Sequence, residues 1–197
     1  MAPLPFSQTG ARVAFDVVLG IWVVSEWRVG LHSRLNRRGR SVDRGTRGAV
    51  ILLVAAGIGG AFALAGNAQG AAIAEGQWFF FGAGLALIAV GIVIRQWSVT
   101  VLGSSFTTDV RVRPEQTVVE RGPYRWVRHP SYTGLILIFL GIGLALGNWA
   151  ALAVVVVMPT AGLVIRIRVE ERALLNGLGE PYQRFAAGRP RLFPGVW

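Results

Sequence analysis

The stretch RGPYRWVRHPSYTG at residues 121–134 gathers three arginines, one of the chain's two histidines, two prolines and two tyrosines. A residue before proline is pushed out of helical geometry, so His129 is extended while Pro130 suits the first turn of a helix. Arg128 and His129 then stand at a helix start, where free backbone N–H groups attract anions. Tyr132 and Gly134 fall in the first turn, and Gly134 leaves room for something to approach the backbone. The block suits a ligand with an anionic group and a flat ring. It equally suits a helix anchored at lipid head groups, and these residues alone do not choose between the two.

A second polar cluster, RIRVEERALLNGLGEPYQRF, begins at Arg166. On a helix Arg166 and Glu170 share a face, and Glu171 points about 100° away. The mixture reads as an amphipathic helix leaving an apolar environment, with a solvated ion-pair face as the plain alternative. The two acids begin about one turn beyond an apolar run, where a cationic ligand group can be held in partly desolvated surroundings. An anion-attracting helix start opposite an acid pair, with tyrosines nearby, suits a zwitterion carrying an extra positive charge. S-adenosylmethionine has that make-up. A Gly-rich strand-to-helix fingerprint is absent, so a soluble dinucleotide-type site is not supported.

The elements that must position these clusters are apolar. The 197 residues are 53% hydrophobic and 15% charged, which points to an integral membrane protein. Five apolar segments stand out, at about 11–29, 48–66, 77–94, 132–146 and 150–165. The first three approach the roughly 20 residues that cross a bilayer. The last two are shorter and meet at Asn148-Trp149, which reads as a tight helical hairpin over 132–165. The expected fold is all-α: a membrane bundle of about five transmembrane helices with a cytoplasmic cofactor loop and a C-terminal amphipathic helix. A single domain spans 1–197, with three N-terminal helices in 11–94 and the polar clusters and hairpin in 95–197. The first segment has no basic flank and carries Asp16 and Glu26, so it reads as a retained helix rather than a signal peptide. Arg12 stands four residues before Asp16, a helical pair spacing, and both acids read as structural.

All twenty basic residues are arginine and the net charge is +10. The loops after the first and third segments and the tail hold most of them, including Arg34, Arg37, Arg38, Arg40, Arg44, Arg47, Arg111 and Arg113. The two intervening connections hold none. This alternation follows the positive-inside rule, with the N-terminus outside and the C-terminus cytoplasmic in a bacterial inner membrane. It also explains the charge without nucleic acid, and no obligatory protein partner is expected. With no cysteine and two histidines, a metal site is not expected. Both polar clusters then lie on one membrane face and should meet.

GPYRWVRHPSYTG resembles the signature of the isoprenylcysteine carboxyl methyltransferase family, a GxY…RHPxYxG pattern. Glu170-Glu171, Gly179-Glu180-Pro181-Tyr182 and Arg189-Pro190-Arg191 resemble its C-terminal block, and Arg95-Gln96-Trp97 with Leu102-Gly103 resemble the segment before its cofactor loop. The resemblance covers roughly residues 95–194. It implies an integral membrane methyltransferase using S-adenosylmethionine, with a lipophilic or lipidated acceptor entering from the bilayer and an isoprenylcysteine-like carboxylate as the group methylated. Carried over by motif, Tyr124, Arg128, His129, Pro130, Tyr132, Gly134, Glu171 and Tyr182 bind or enclose the cofactor, and Arg166 and Glu170 lie nearer the transfer. Arg166 is the candidate for steering an acceptor carboxylate, with Arg95 as the alternative. An amine acceptor would instead need a base, and Glu170 is the candidate. A phospholipid N-methyltransferase is the first competing reading, and a membrane NADPH-dependent reductase of the sterol reductase type the second. Ser131 and Leu135 depart from the reductase pattern, RHxNYxG followed by an acid. A non-catalytic lipid anchor would leave the pairing of the two motifs without a reason. Pro181 stands where the family often has an acid, and the N-terminal half carries no recognised motif.

Overall fold

A computed structural model describes residues 2–35, 45–109, 117–195 and 197. Arg37, Arg38, Arg40, Arg44, Arg111 and Arg113 lie outside the described residues. Among the described residues seven α-helices follow in order: α1 (Leu4–Ser7), α2 (Thr9–Leu35), α3 (Thr46–Asn67), α4 (Gln77–Leu102), α5 (Pro130–Ala145), α6 (Trp149–Leu178) and α7 (Glu180–Ala187). Among the described residues there is no β-strand beyond one isolated bridge between Ala72 and Asn148.

The five apolar segments become α2 to α6. By length and hydropathy, α3, α4 and α6 are able to cross a membrane, and α5 is a shorter apolar helix. The 27-residue α2 is long enough but carries Arg12, Asp16, Glu26 and Arg28, so five is an approximate count of spans. Arg12 and Asp16 pair at 3.7 Å, as their spacing suggests. The fifth segment does not stop near residue 165. It continues to Leu178 as one 30-residue helix, so the second arm of the hairpin expected over 132–165 runs on through the polar cluster. Charge ends an apolar run but not a helix, and Arg, Glu, Ala and Leu are good helix formers. The chain turns at Gly179 with φ +62°, a left-handed value that favours glycine. The short amphipathic α7 follows and buries Tyr182 and Phe185.

Two tight contacts hold the bundle. Antiparallel α4 and α5 meet along glycines: a Cβ on Gly91 would lie 2.5 Å from the Gly134 carbonyl oxygen, and one on Gly141 equally close to the carbonyl of Gly84. Small residues allow this approach, where dispersion rather than exclusion of water drives helix association. At the far end Asn148 caps α6 by accepting from the Ala151 N–H at 3.0 Å, and its amide donates to the Ala68 carbonyl at 2.9 Å. The bond to Ala68 ties the α5–α6 turn to the connection between α3 and α4. Elsewhere α3 packs on α6, and α2 on α4.

Candidate functional site

A cavity of about 590 Å³ opens among α2, α3, α5 and α6. One end is polar, lined by Tyr124, Arg128, His129, Tyr132, Glu170 and Tyr182. The other is apolar, lined by Trp22, Val54, Ile58, Leu135, Phe139 and Leu163. All three tyrosines of the chain face this one space.

The polar end is built where the two polar clusters meet, as their common membrane face requires. His129 stands before α5 in a non-helical conformation (φ −125°, ψ 57°) and Pro130 opens the helix. The backbone N–H groups of Arg128 and His129 donate to the carbonyls of Pro190 and Arg191, each at 2.9 Å. The Thr133 hydroxyl donates to the Leu192 carbonyl at 2.6 Å. The start of α5 is thus clamped by the segment after α7. Glu171 secures the clamp from α6. Its carboxylate accepts from Arg128 Nη1 and Arg191 Nε, both at 2.9 Å, and lies 3.3 Å from His129 Nε2. His129 and Tyr132 stack with centroids 5.7 Å apart and planes 20° from parallel, giving the cavity a flat aromatic wall.

Tyr132 links the two residues expected nearest the transfer. Its hydroxyl donates to Glu170 at 2.8 Å and accepts from Arg166 Nε at 3.4 Å. Arg166 is held by further bonds, from Nη1 to the Thr46 hydroxyl at 3.1 Å and from Nη2 to the Thr108 carbonyl. It therefore joins α6 to α3 and to the loop after α4. Arg95, buried in α4, makes a two-pronged pair with Glu26 of α2 and donates to the Ser131 hydroxyl at 2.9 Å. Both arginines line the cavity.

Burial raises the Tyr124 hydroxyl well above its usual range, with the Glu170 charge adding to it. Burial likewise raises Tyr182, helped by Glu171 and Glu170. Both remain protonated and can donate. Tyr182 Oη is buried with no hydrogen-bond partner among the described residues. A buried hydroxyl left so costs about 1–3 kcal/mol, and a bound polar ligand would offset that cost.

Of the residues singled out by sequence, Tyr124, Arg128, His129, Tyr132, Arg166, Glu170 and Tyr182 line the cavity. Glu171 lies behind it as the acceptor that fixes Arg128 and His129. Gly134 differs from the expectation that it leaves room for a ligand. The Gly91 carbonyl and the Arg95 backbone and Cβ fill that space, because α4 packs where a Cβ would stand. Pro130 is buried at the helix start. Sequence reasoning missed Ser131, Arg191 and Thr108 as partners, and the whole apolar end.

Residues 84–176 match the model of the isoprenylcysteine carboxyl methyltransferase (ICMT) family. They run from the glycine-packed half of α4 through the loop and α5 to near the end of α6, and contain every polar cavity residue named above except Glu26 and Tyr182. Protein-S-isoprenylcysteine O-methyltransferase B of Arabidopsis thaliana is 30% identical over 122 residues, covering 61% of this chain and 62% of the relative. YpbQ of Bacillus subtilis, an uncharacterized protein, is 32% identical over 92 residues, covering 46% of this chain and 55% of the relative. Among solved structures, the eukaryotic intramembrane Ras methyltransferase ICMT, without a monobody, superposes with a TM-score of 0.57 at 26% identity. That match covers 60% of this chain and 43% of the other. The chain thus spans little more than half the length of the curated relatives it matches. The ICMT match and the apolar helices together make this an integral membrane protein.

Proposed function

We propose that this chain is a membrane methyltransferase that takes a methyl group from S-adenosylmethionine and passes it to the carboxylate of an isoprenylcysteine-like lipophilic acceptor. The observation that carries this reading is one cavity with two chemically opposite ends, the polar end formed by the ICMT signature residues. The residues present fit the cofactor. The unpartnered Tyr182 hydroxyl offers a donor to a polar group. The His129–Tyr132 stack offers a face to a flat ring. Arg128 faces the cavity as a cation for a carboxylate, and Tyr124 closes the space. Pro130, Gly134 and Glu171 hold these groups in place.

S-adenosylmethionine supplies a methyl on a positively charged sulfur, so attack by a carboxylate oxygen forms the C–O bond as the C–S bond breaks and its electron pair stays on sulfur. A carboxylate acceptor is already ionised at neutral pH, so no side chain need remove a proton. The protein orients the reactants and excludes water, effects worth about 7–11 kcal/mol in near-attack geometry. Arg166, its fork held by Tyr132, Thr46 and Thr108, sets a fixed positive charge beside the acceptor carboxylate, and Glu170 holds Tyr132 in place. Trp22, Val54, Ile58, Phe139 and Leu163 take the apolar tail. The arginine alternation supports a polar end at the cytoplasmic face of a bacterial inner membrane, with the N-terminus outside.

The test is equilibrium binding of radiolabelled S-adenosylmethionine to detergent-purified protein, with NADPH as competitor, followed by methyl transfer to a farnesylated cysteine acceptor. Saturable binding indifferent to NADPH, lost in His129→Ala, together with base-labile methyl ester on the acceptor, is the expected result. Displacement by NADPH, or no binding with the fold intact, would overturn the reading.

A further inference from the structure

The loop that carries Tyr124 and His129 has a second face. Pro123, Tyr124, Val127 and His129 are buried, while Arg121, Arg125 and Trp126 point outward and are exposed. Trp126 is 49% exposed and stands nearly edge-on to Trp97, itself 42% exposed, with ring centroids 5.9 Å apart. The Arg125 guanidinium lies 4.4 Å above the Trp126 ring. This outer face is seated firmly on α4. Gly122 has φ +60°, and a Cβ there would come within 2.8 Å of Val101 Cγ2. Arg189 braces it from behind, donating to the Arg125 carbonyl at 3.2 Å and to Glu120 at 2.9 Å.

Trp97 fixes the depth of this face. It lies in the last turns of α4, a helix apolar enough to cross a membrane. It stands two residues after Arg95, about 200° round the helix, so Arg95 faces the cavity and Trp97 faces away. Tryptophan at such a helix end sits where hydrocarbon gives way to head groups. Arg121, Arg125 and Arg189 outweigh the single acid Glu120, so the patch is positive. Two exposed indoles beside two outward arginines complement one lipid molecule: acyl chain along the rings, phosphate against the guanidinium groups.

We propose that this face is a docking site for an anionic phospholipid. The lipid seats the outside of the loop whose inside forms the polar end of the cavity. The site is independent of which acceptor is methylated.

The test uses the full chain in nanodiscs of phosphatidylcholine containing a fixed fraction of acyl-brominated phosphatidylglycerol or acyl-brominated phosphatidylcholine, with tryptophan emission as the readout. Brominated phosphatidylglycerol should quench more than brominated phosphatidylcholine. That excess should vanish in Trp97→Phe/Trp126→Phe and fall to roughly half or less in Arg121→Gln/Arg125→Gln. It should persist in Arg168→Gln/Arg172→Gln, which removes the same charge from exposed positions on α6. Unchanged quenching by brominated phosphatidylcholine in the arginine variants shows that they still sit normally in the bilayer. Equal quenching by the two lipids in the native chain overturns the proposal, as does an excess that survives Trp97→Phe/Trp126→Phe. An excess lost equally in the α6 variant also overturns it, because diffuse surface charge then accounts for the attraction.

Discussion

Helix α5 faces two regions built on opposite rules. Toward α4 it presents Gly134 and Gly141, and the two backbones come as close as helices can. Toward α3 and α6 it presents Tyr132, Leu135 and Phe139, which line a cavity of about 590 Å³. One face is filled until nothing more fits; the other is propped open by large side chains. Of the α5 residues singled out as functional, Tyr132 belongs to the open face and Gly134 to the filled face, which fixes the line from which Tyr132 projects. A helix of 16 residues thus serves as both rivet and wall.

The sharpest way to break this contrast is to add one methyl group to the filled face. In Gly91→Ala the new Cβ would sit 2.5 Å from a backbone oxygen that cannot swing aside. The helices must part, at a cost near the upper end of the about 1–3 kcal/mol typical of overpacking. Thermal unfolding in detergent should show a lowered midpoint and a loss of folded protein on size exclusion. An unchanged midpoint would mean that the seam is looser than its geometry.

The next effect is at the edge of the open face. Glu171→Gln removes the charge that accepts from Arg128 and Arg191. Hydrogen bonds to charged groups contribute about 1.5–3 kcal/mol, so a loss of about 2 kcal/mol in cofactor binding, roughly 30-fold in affinity, is expected. Isothermal titration with S-adenosylmethionine measures it directly. Farther along the cavity, Val54→Trp fills the apolar end. Acceptor kcat/KM should fall about tenfold, or about 1.4 kcal/mol, while cofactor affinity stays within about twofold. If both fell together, the two ends would not be separate. Tyr182→Phe should act with opposite signs on two measurements. Without ligand, it removes a buried hydroxyl that has no partner, so stability should hold or rise slightly. With cofactor, it should lose about 1 kcal/mol, near fivefold in affinity.

The open face was partly legible before any coordinates. Arg128, His129, Tyr132, Glu170 and Glu171 declared themselves by residue type and spacing, and the five apolar runs located α2 to α6. What escaped the sequence were facts about partners. Glu26 and Arg95 are 69 positions apart, and nothing local says that they pair across the cavity. Arg166 read as free to meet an acceptor, yet its fork is bonded to Thr46 and Thr108, on elements whose placement no spacing reveals. Trp22, Val54 and Leu163 are typed like residues that face lipid, so the apolar end was invisible. Gly134 was noticed for the right property, the absence of a side chain. Its neighbour is Gly91, and the matching seven-residue intervals Gly84–Gly91 and Gly134–Gly141 were the signal available for that. The end of α6 was misplaced because hydropathy marks where lipid stops, not where hydrogen bonding stops.

The smallest effect completes the contrast, because it repeats the first substitution in a different place. Gly59 lies inside α3, and a Cβ added there meets nothing within 4 Å. No backbone must move, so what remains is the intrinsic preference of a helix interior for alanine, about 0.5–1 kcal/mol relative to glycine. Gly59→Ala should therefore raise the unfolding midpoint slightly, where Gly91→Ala lowers it several times as much. The chemical change is identical and both glycines sit mid-helix in membrane-crossing elements. The difference in sign then measures packing alone. Equal destabilisation by both would show that glycine is needed in these helices for its backbone, and would remove the distinction between a filled and an open face.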